Sequence, residues 1–226
     1  MTYTVVAFDA KQGLLGLAQA SSPMAVGSRC LHLRAGVGAV TTQGHTDPAL
    51  GPQALDLLAQ GLTPAAAIEA LSEAPFYGHR QLGIVDTGGR VAATTGPATA
   101  EHRGHLVGDG FVVLGNHLAT ADVLPRMRQA WLAHADATFE YRLFAAVKAG
   151  RDAGGDLSGN RSAGIRVVGA TALPRTDLRV DWQPGPGADA VDTLADLVDR
   201  WVPLIDYYQR RPLEPDLGAW EDWRRR

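Results

Sequence analysis

The first two residues of the chain, Met1 and Thr2, offer the most direct chemistry in the sequence. A small second residue favours removal of the initiator methionine, which would leave Thr2 with both a hydroxyl nucleophile and a free α-amine. An α-amine titrates at about 7.7–8.0, so it can take the hydroxyl proton without help from a histidine. The pair therefore predicts acyl transfer, while a Met-Thr start without catalytic meaning is the plain alternative.

Two turns between a strand and a helix could stabilise the negative charge that acyl transfer creates. The backbone N–H groups around Gly44 and the side-chain amide of Asn116 are the candidate donors to an oxyanion. Gly44 could also be an ordinary turn residue, and Asn116 could simply cap the following helix. From the residues alone, both interpretations stay open.

A glycine-rich stretch, residues 154–164, contains Asp156 and Ser162, which could bind or orient a substrate amine. The stretch lacks the P-loop and dinucleotide patterns that bind nucleotide phosphates. Histidines such as His102 and His105 lack the His-Glu-x-x-His spacing of a zinc site. We therefore expect neither a cofactor nor a metal.

Composition and charge narrow the class of protein. The 226 residues are 46% hydrophobic and 20% charged with a net charge of −3, which is typical of one globular domain with no affinity for nucleic acid. The single cysteine, Cys30, cannot form an internal disulfide, and the N-terminal residues resemble neither a signal peptide nor a membrane span. We expect a cytoplasmic protein with no membrane partner.

The last residues differ in composition from the rest of the chain. A domain over residues 1–211 is predicted, followed by a tail over residues 212–226 that holds Trp220, Trp223 and three closing arginines. Apolar anchors in a polar tail indicate that it lies across its own domain or across a neighbouring subunit, and an exposed, disordered tail is the alternative. Because the tail and the amphipathic last helix offer apolar surface that a partner could cover, we expect a homodimer or a higher homo-oligomer.

The hydrophobic pattern alternates between strand pairs and helix pairs. Strands are predicted over residues 3–9, 14–20, 30–33, 37–42, 81–86, 90–95, 110–114, 162–168 and 178–182, and helices over 48–61, 63–74, 120–133, 137–149 and 188–208 with a bend at Pro203. Hairpins join strands where a parallel sheet would need helical crossovers. The order therefore favours an α+β domain with mostly antiparallel sheets and helices packed outside them.

Several ordered segments resemble the bacterial and archaeal domain-of-unknown-function family 1028, from Thr2 to about Leu204. The segments that carry the resemblance are YTVVAFD at 3–9, GLLGLAQAS at 13–21, AGVGAVTTQ at 35–43, HRQLGIVD at 79–86, GN at 115–116 and AGGD at 153–156. The family in turn resembles the N-terminal-nucleophile (Ntn) hydrolases. That resemblance implies a four-layer αββα sandwich.

The resemblance to proteasome-type Ntn hydrolases also implies roles for single residues. Thr2 stands where these enzymes place their nucleophile, Gly44 where they place a backbone oxyanion donor, and Ser162 where they place a supporting serine. Two positions depart from their pattern. Where an acidic residue is expected after the second strand, the chain has Gln19, Ser21 or Ser22, and where a lysine is expected only Arg29 is near. Arginine cannot exchange a proton near neutral pH, so proteasome-like proteolysis is not expected.

The sequence thus supports two hypotheses from different classes. The first is an Ntn-type amidohydrolase for a small amide or short peptide, with Thr2, Gly44 and Asn116 as catalytic residues. Its predicted substrate-binding residues are Ser22, Gln43, His79, Arg80, Asp156 and Ser162. The second is a non-catalytic protein that binds a small ligand or assembles with other subunits and keeps the fold without the nucleophile. An internal nucleophile, Ser21, Ser22 or Cys30, is a third possibility without a base at recognisable spacing.

Overall fold

The computed structural model describes residues 1–171, 173–185 and 187–223 of the chain. The strands are β1 Thr2–Asp9, β2 Leu14–Ser21, β3 Leu31–Arg34, β4 Gly38–Gly44, β5 Arg80–Asp86, β6 Val91–Thr95, β7 Gly104–Gly108, β8 Phe111–Asn116, β9 Ser162–Val168 and β10 Pro174–Val180. The helices are α1 Val26–Cys30, α2 Leu50–Ala59, α3 Pro64–Leu71, α4 Val123–Ala133, α5 Phe139–Asp152, α6 Ala190–Trp201, α7 Ile205–Arg210 and α8 Trp220–Trp223. Short 3₁₀ turns lie at Tyr77–His79 and Val202–Leu204.

The strands form two antiparallel sheets. One sheet has six strands in the order β10-β9-β2-β1-β8-β7, and the other has four in the order β3-β4-β5-β6. Every pairing between neighbouring strands is antiparallel. The prediction of a mixed α/β protein with antiparallel sheets is therefore confirmed.

Three apolar clusters hold the elements together. One lies between the sheets and includes Val6 and Leu17, while a second joins the outer face of the six-stranded sheet to α4, α5 and α6. The third packs α2 and α3 on the outer face of the four-stranded sheet. Successive residues of β1 alternate between the first two clusters, because neighbouring side chains of a strand point to opposite faces. Each fully buried Leu or Val contributes about 1.5–3 kcal/mol.

Several predicted elements need correction. Cys30 ends the short helix α1 and is not part of a strand, because the chain enters that helix through Ala25, whose φ of 57° turns the backbone. The strand β7 was not predicted, since its five residues, GHLVG, show no clear alternation. The last strand lies over Pro174–Val180, earlier than 178–182. The final helix is interrupted around Pro203, as its sequence predicts.

The described part of the tail folds back on α7. Tyr207 donates a hydrogen bond to the Gly218 carbonyl at 2.8 Å, and the Tyr207 and Trp223 rings lie 6.0 Å apart. The three closing arginines predicted to belong to this tail lie outside the described residues. Among the residues that the structure describes, no helix combines the length and the hydrophobicity needed to cross a membrane.

Candidate active site

One end of the space between the sheets is filled with polar side chains. They stand at the inward positions of five neighbouring strands, where the apolar cluster between the sheets ends. The members are Thr2, Thr4, Gln19, Ser21, Gln43, Gln81 and Asn116. All are buried, so each polar group needs a hydrogen-bond partner inside the protein. We call this set the polar end.

A cavity of about 170 Å³ opens above the polar end. Its walls are formed by Met1, Thr2, Pro23, Arg29, Cys30, Gln43, Gly44, His45, Thr46, His79, Ala98, Thr99, Ala100, Asn116 and His117. The cavity is smaller than the pockets that enclose drug-sized ligands. It brings together five predicted site residues, namely Thr2, Gly44, Asn116, Gln43 and His79.

The Thr2 hydroxyl lies at the start of β1 and is almost fully buried. Its Oγ1 is 3.0 Å from Ser21 Oγ on the neighbouring strand. The hydroxyls of Thr2 and Ser21 both donate to the carbonyl oxygen of Met1. In the Met1-bearing chain, two hydroxyls therefore hold the first peptide group against the cavity wall.

The N-terminal amine also lies in the cavity, where it donates a hydrogen bond to Asn116 Oδ1. Burial lowers the pKa of the Met1 amine below its usual value of 8.0, and the charges of Asp156 and Cys30 oppose that change. Removing an ammonium group from water disfavours its charged form. More of an amine in this place is therefore in the neutral form that can accept a proton near neutral pH than of an exposed amine.

A chain of side-chain amides lies beneath the amine. Gln81 Oε1 accepts from Gln43 Nε2 at 2.6 Å and from Asn116 Nδ2 at 3.0 Å. Thr4 Oγ1 donates to Gln43 Oε1 at 2.7 Å. These bonds join β1, β4, β5 and β8, so the two sheets are connected at the polar end by neutral hydrogen bonds.

Gly44 ends β4 with a φ of +85°, a conformation that favours glycine. A Cβ at this position would also lie 2.7 Å from the His79 carbonyl oxygen. His45 N–H donates to that same oxygen at 3.1 Å. Because hydrogen-bonded and non-hydrogen-bonded pairs alternate along an antiparallel ladder, the Gly44 N–H points away from β5. That direction leaves it as a candidate donor on the side of the cavity.

Comparison with protein families identifies the chain. Residues 2–190 match the model of a family of unknown function, DUF1028. The chain belongs to DUF1028. It is similar to the crystal structure of the DUF1028 protein SPO2555 from Silicibacter pomeroyi, with 29% identity, a TM-score of 0.81, and coverage of 99% of this chain and 90% of that one.

A more distant structural match of this DUF1028 protein is Anbu (ancestral beta-subunit) from Yersinia bercovieri. The identity is 11% and the TM-score 0.44, over 97% of this chain and 99% of that one. None of the curated proteins matches the chain.

Four predicted substrate-binding residues of the DUF1028 protein do not line the cavity. Arg80 follows the alternation of Leu82 and Ile84, which face the helices α2 and α3. Ser162 Oγ donates to the Pro23 carbonyl at 2.6 Å and accepts from Val26 N–H at 3.2 Å. Ser162 thus fastens the loop that carries the cavity wall.

Asp156 and Ser22, the other two, bind each other beside the N-terminus. The buried Asp156 carboxylate accepts from the backbone N–H of Ser22 and of Ser158, each at 2.9 Å. His117 Nδ1 lies 3.4 Å from the same carboxylate. Asp156 therefore orders two loops around the cavity, and it places a negative charge near the N-terminal amine.

Two of the positions that depart from the Ntn pattern, Gln19 and Arg29, have neutral partners in this DUF1028 protein. Gln19 Nε2 donates to the Val26 carbonyl at 2.8 Å, and Gln19 Oε1 accepts from Thr4 Oγ1 at 3.3 Å. Arg29 lines the cavity and donates to the Met24 carbonyl at 2.9 Å. Among the described residues, no group of three or more His, Cys, Asp or Glu side chains could hold a metal ion.

Sequence reasoning missed Gln81, which binds Asn116 and Gln43, and the cavity residues His45 and Thr46. The sequence could have indicated Gln81, because the other two inward positions of its strand, Gly83 and Val85, are apolar. Cys30 also lines the cavity, and burial raises the pKa of its thiol to about 11. A thiol with that pKa is protonated at neutral pH, which disfavours Cys30 as a nucleophile.

Proposed function

We propose that this DUF1028 protein is an Ntn-type amidohydrolase that acts on a small amide or short peptide once Met1 has been removed. The proposal includes the fold, in which the two sheets and the helices on their outer faces would form a four-layer αββα sandwich. The observation that carries it is the position of Thr2. Its hydroxyl lies in the cavity wall, and loss of one residue would create a free amine on the same residue.

In the proposed reaction, the Thr2 α-amine takes the proton of the Thr2 hydroxyl while Oγ1 attacks the substrate carbonyl carbon. The C–N bond of the tetrahedral intermediate then breaks, the leaving amine takes the proton, and the acyl group remains on Thr2 as an ester. Water hydrolyses that ester and regenerates the hydroxyl. The Gly44 N–H is the proposed oxyanion donor. The Asn116 amide, the other donor that the sequence predicts, donates to Gln81 Oε1 and borders the amine instead.

The proposed substrate is small because the cavity is small. Gln43 and His79 line the cavity and could contact the substrate directly. Asp156, Ser22 and Ser162 lie outside the walls and would act by ordering the loops. Arg80 is on the face of β5 that packs against α2 and α3, so the proposal gives it no contact with the substrate. A short amide fits these limits better than a folded protein or a long peptide.

A second candidate function is supported by the same residues. With Met1 in place, its amine is bound to Asn116 and its carbonyl to Thr2 and Ser21, so Thr2 has no free amine. A chain that keeps Met1 would be a ligand-binding or assembly protein with no turnover. Homo-oligomerisation and a cytoplasmic location, which we propose under either function, are supported by the sequence alone.

The first experiment is an intact-mass measurement of the purified protein, followed by a screen of small N-acyl amides with wild type, Thr2→Ala and Thr2→Ser. We expect Met1 to be absent, and Thr2→Ala to lower turnover at least about 10³-fold, as for other catalytic nucleophiles. Thr2→Ser should keep measurable activity. Thr87→Ala, a change in an exposed turn, is the matched control and should leave turnover unchanged.

Two outcomes separate the candidates. Turnover by protein that still carries Met1 would exclude the Thr2 mechanism. Ligand binding without turnover, unchanged in Thr2→Ala, would favour the binding protein.

A further inference from the structure

The orientation of the Gln81 side chain is fixed by the backbone around it. Gln81 is fully buried, and its Nε2 lies 2.9 Å from the carbonyl oxygens of both Gly104 and Gly115. A carbonyl oxygen only accepts hydrogen bonds, so the Gln81 atom that faces both must be the nitrogen. Thr95 Oγ1, also at 2.9 Å, is a third partner of this nitrogen. Gln81 Oε1 must therefore point the other way.

The Gln81 oxygen in turn orients Asn116. Oε1 can only accept, and the Asn116 atom at 3.0 Å is accordingly the nitrogen Nδ2. A reversed Asn116 amide would place two oxygens against each other without a proton between them, and would leave buried groups unsatisfied. Asn116 Oδ1 consequently lies on the opposite side, where it accepts from the N-terminal amine.

We propose that Gln81 is a positioning residue that holds the Asn116 oxygen toward the N-terminal amine, so that Asn116 orients the amine and does not donate to the oxyanion. The inference rests on the proposed function for its catalytic meaning. An amine that donates one hydrogen to Asn116 keeps its lone pair turned away from that bond, free to take the hydroxyl proton. The Gly44 N–H is then the proposed oxyanion donor.

The backbone ladder places Asn116 beside the amine of the processed chain as well. Phe8 N–H donates to the Gly110 carbonyl, and the register from there pairs Thr2 with Asn116. Because hydrogen-bonded pairs recur every second residue, the Thr2 nitrogen faces the Asn116 backbone carbonyl. Asn116 would thus border the amine both before and after removal of Met1.

The test is a pH titration of the N-terminal amine, observed by NMR in protein labelled with ¹⁵N-methionine. The protein is expressed while methionine aminopeptidase is inhibited, so that Met1 is retained. Gln81→Met removes the group that orients Asn116, whose amide can then rotate. We expect about tenfold lower proton affinity of the amine, the effect of losing a hydrogen bond to a charged group. Asn116→Leu should lower the affinity at least as much, and the double variant no further.

Thr95→Val is the matched control. It removes one partner of the same Gln81 nitrogen but leaves the two carbonyls that fix its orientation. The titration midpoint should match that of the wild type. An unchanged midpoint in folded Gln81→Met would overturn the inference, and so would an equal change in Thr95→Val, because the effect would then reflect general loss of packing.

A measurement on the wild type keeps the inference testable if Gln81→Met does not fold. The side-chain NH₂ groups of Asn116 and Gln43 donate to one oxygen, so their protons should show a mutual nuclear Overhauser effect. Contact of the Asn116 NH₂ with the N-terminal residue instead would refute the proposed orientation. Neither measurement needs substrate. A protein without turnover would therefore refute the proposed function and leave the orientation to be decided by these data.

Discussion

The space between the sheets has an apolar end and a polar end. The change from one to the other takes place within two residues of the same two strands. Val6 pairs with Leu17 across β1 and β2, and two residues away Thr4 pairs with Gln19. All four side chains are fully buried. The backbone geometry is the same at both ends, so the fold itself does not require the change from apolar to polar residues.

A buried polar pair at this position contributes less to the stability of the fold than an apolar pair would. An apolar pair needs no partners, whereas Thr4 and Gln19 lose water and must regain hydrogen bonds inside the protein. They regain them from each other, from Gln43 and from the Val26 carbonyl. Local departures of this kind from the most stable sequence are expected at functional sites. The apolar end therefore contributes stability, and the polar end is where the proposed chemistry would take place.

The largest expected effect is at the apolar end. Leu17→Ala should lower the free energy of unfolding by about 2–5 kcal/mol, because it removes a fully buried side chain and leaves a cavity. Urea denaturation measures the change. Leu213→Ala is the matched control on a side chain that is 83% exposed, and it should cost less than about 0.5 kcal/mol. A cost below about 1 kcal/mol for Leu17→Ala would contradict the division between the two ends.

The sequence predicted the two ends unequally. Hydrophobic alternation located most of the strands that form the apolar end, because a period of two is a local signal. The alternation wrongly placed Cys30 in a strand and did not predict β7. Both segments are short, and too few residues alternate to distinguish a helix from a strand. The family resemblance placed Thr2 and Gly44 together, and the structure puts both in one cavity wall.

Whether the remaining residues belong to the site depends on which face of the sheet their side chains point to. Arg80 and Gln81 are neighbours in the sequence, yet one faces the helices and the other faces Asn116. A shift of one residue in strand assignment exchanges these roles. The amide chain also joins four strands that are far apart in the sequence, so only the pairing of the two sheets reveals it.

The second prediction concerns the one thiol near the polar end. Burial raises the pKa of Cys30 to about 11 from 9.0, so its thiolate fraction at pH 8 should be about a hundredfold lower than in the unfolded chain. Labelling with a thiol reagent should therefore be at least about a hundredfold slower in the native protein than in urea. Cys30 is the only cysteine, so no variant is needed. Equal rates would show an accessible thiolate in the cavity and would restore Cys30 as a candidate nucleophile.

The third prediction is the cost of disconnecting the polar end. Gln81→Met should lower the free energy of unfolding by about 1–3 kcal/mol, because Asn116, Gln43 and two backbone carbonyls lose a buried partner. Gln53→Met, on the exposed face of α2, is the control and should be close to neutral. A Gln81→Met protein as stable as the wild type would show that water or rearranged side chains replace the amide.

The smallest expected effect is the pH dependence contributed by the N-terminal amine of the Met1-retaining chain. Burial lowers the pKa of this amine in the folded state, while the unfolded chain keeps a value near 8.0. Between these two pKa values the unfolded state binds more protons than the folded state. The free energy of unfolding therefore rises as the pH increases from the folded pKa to about 8, and this contribution is lost when the pH falls through the folded pKa.

Comparison with N-terminally acetylated protein isolates this contribution, since acetylation removes the titrating group and leaves all the others. Urea denaturation between pH 6 and 9 should show a steeper rise in stability for the unmodified protein. Parallel curves would mean that the amine is solvated as in the unfolded chain. The polar end would then not bury its N-terminus, and the contrast with the apolar end would be limited to the amide chain.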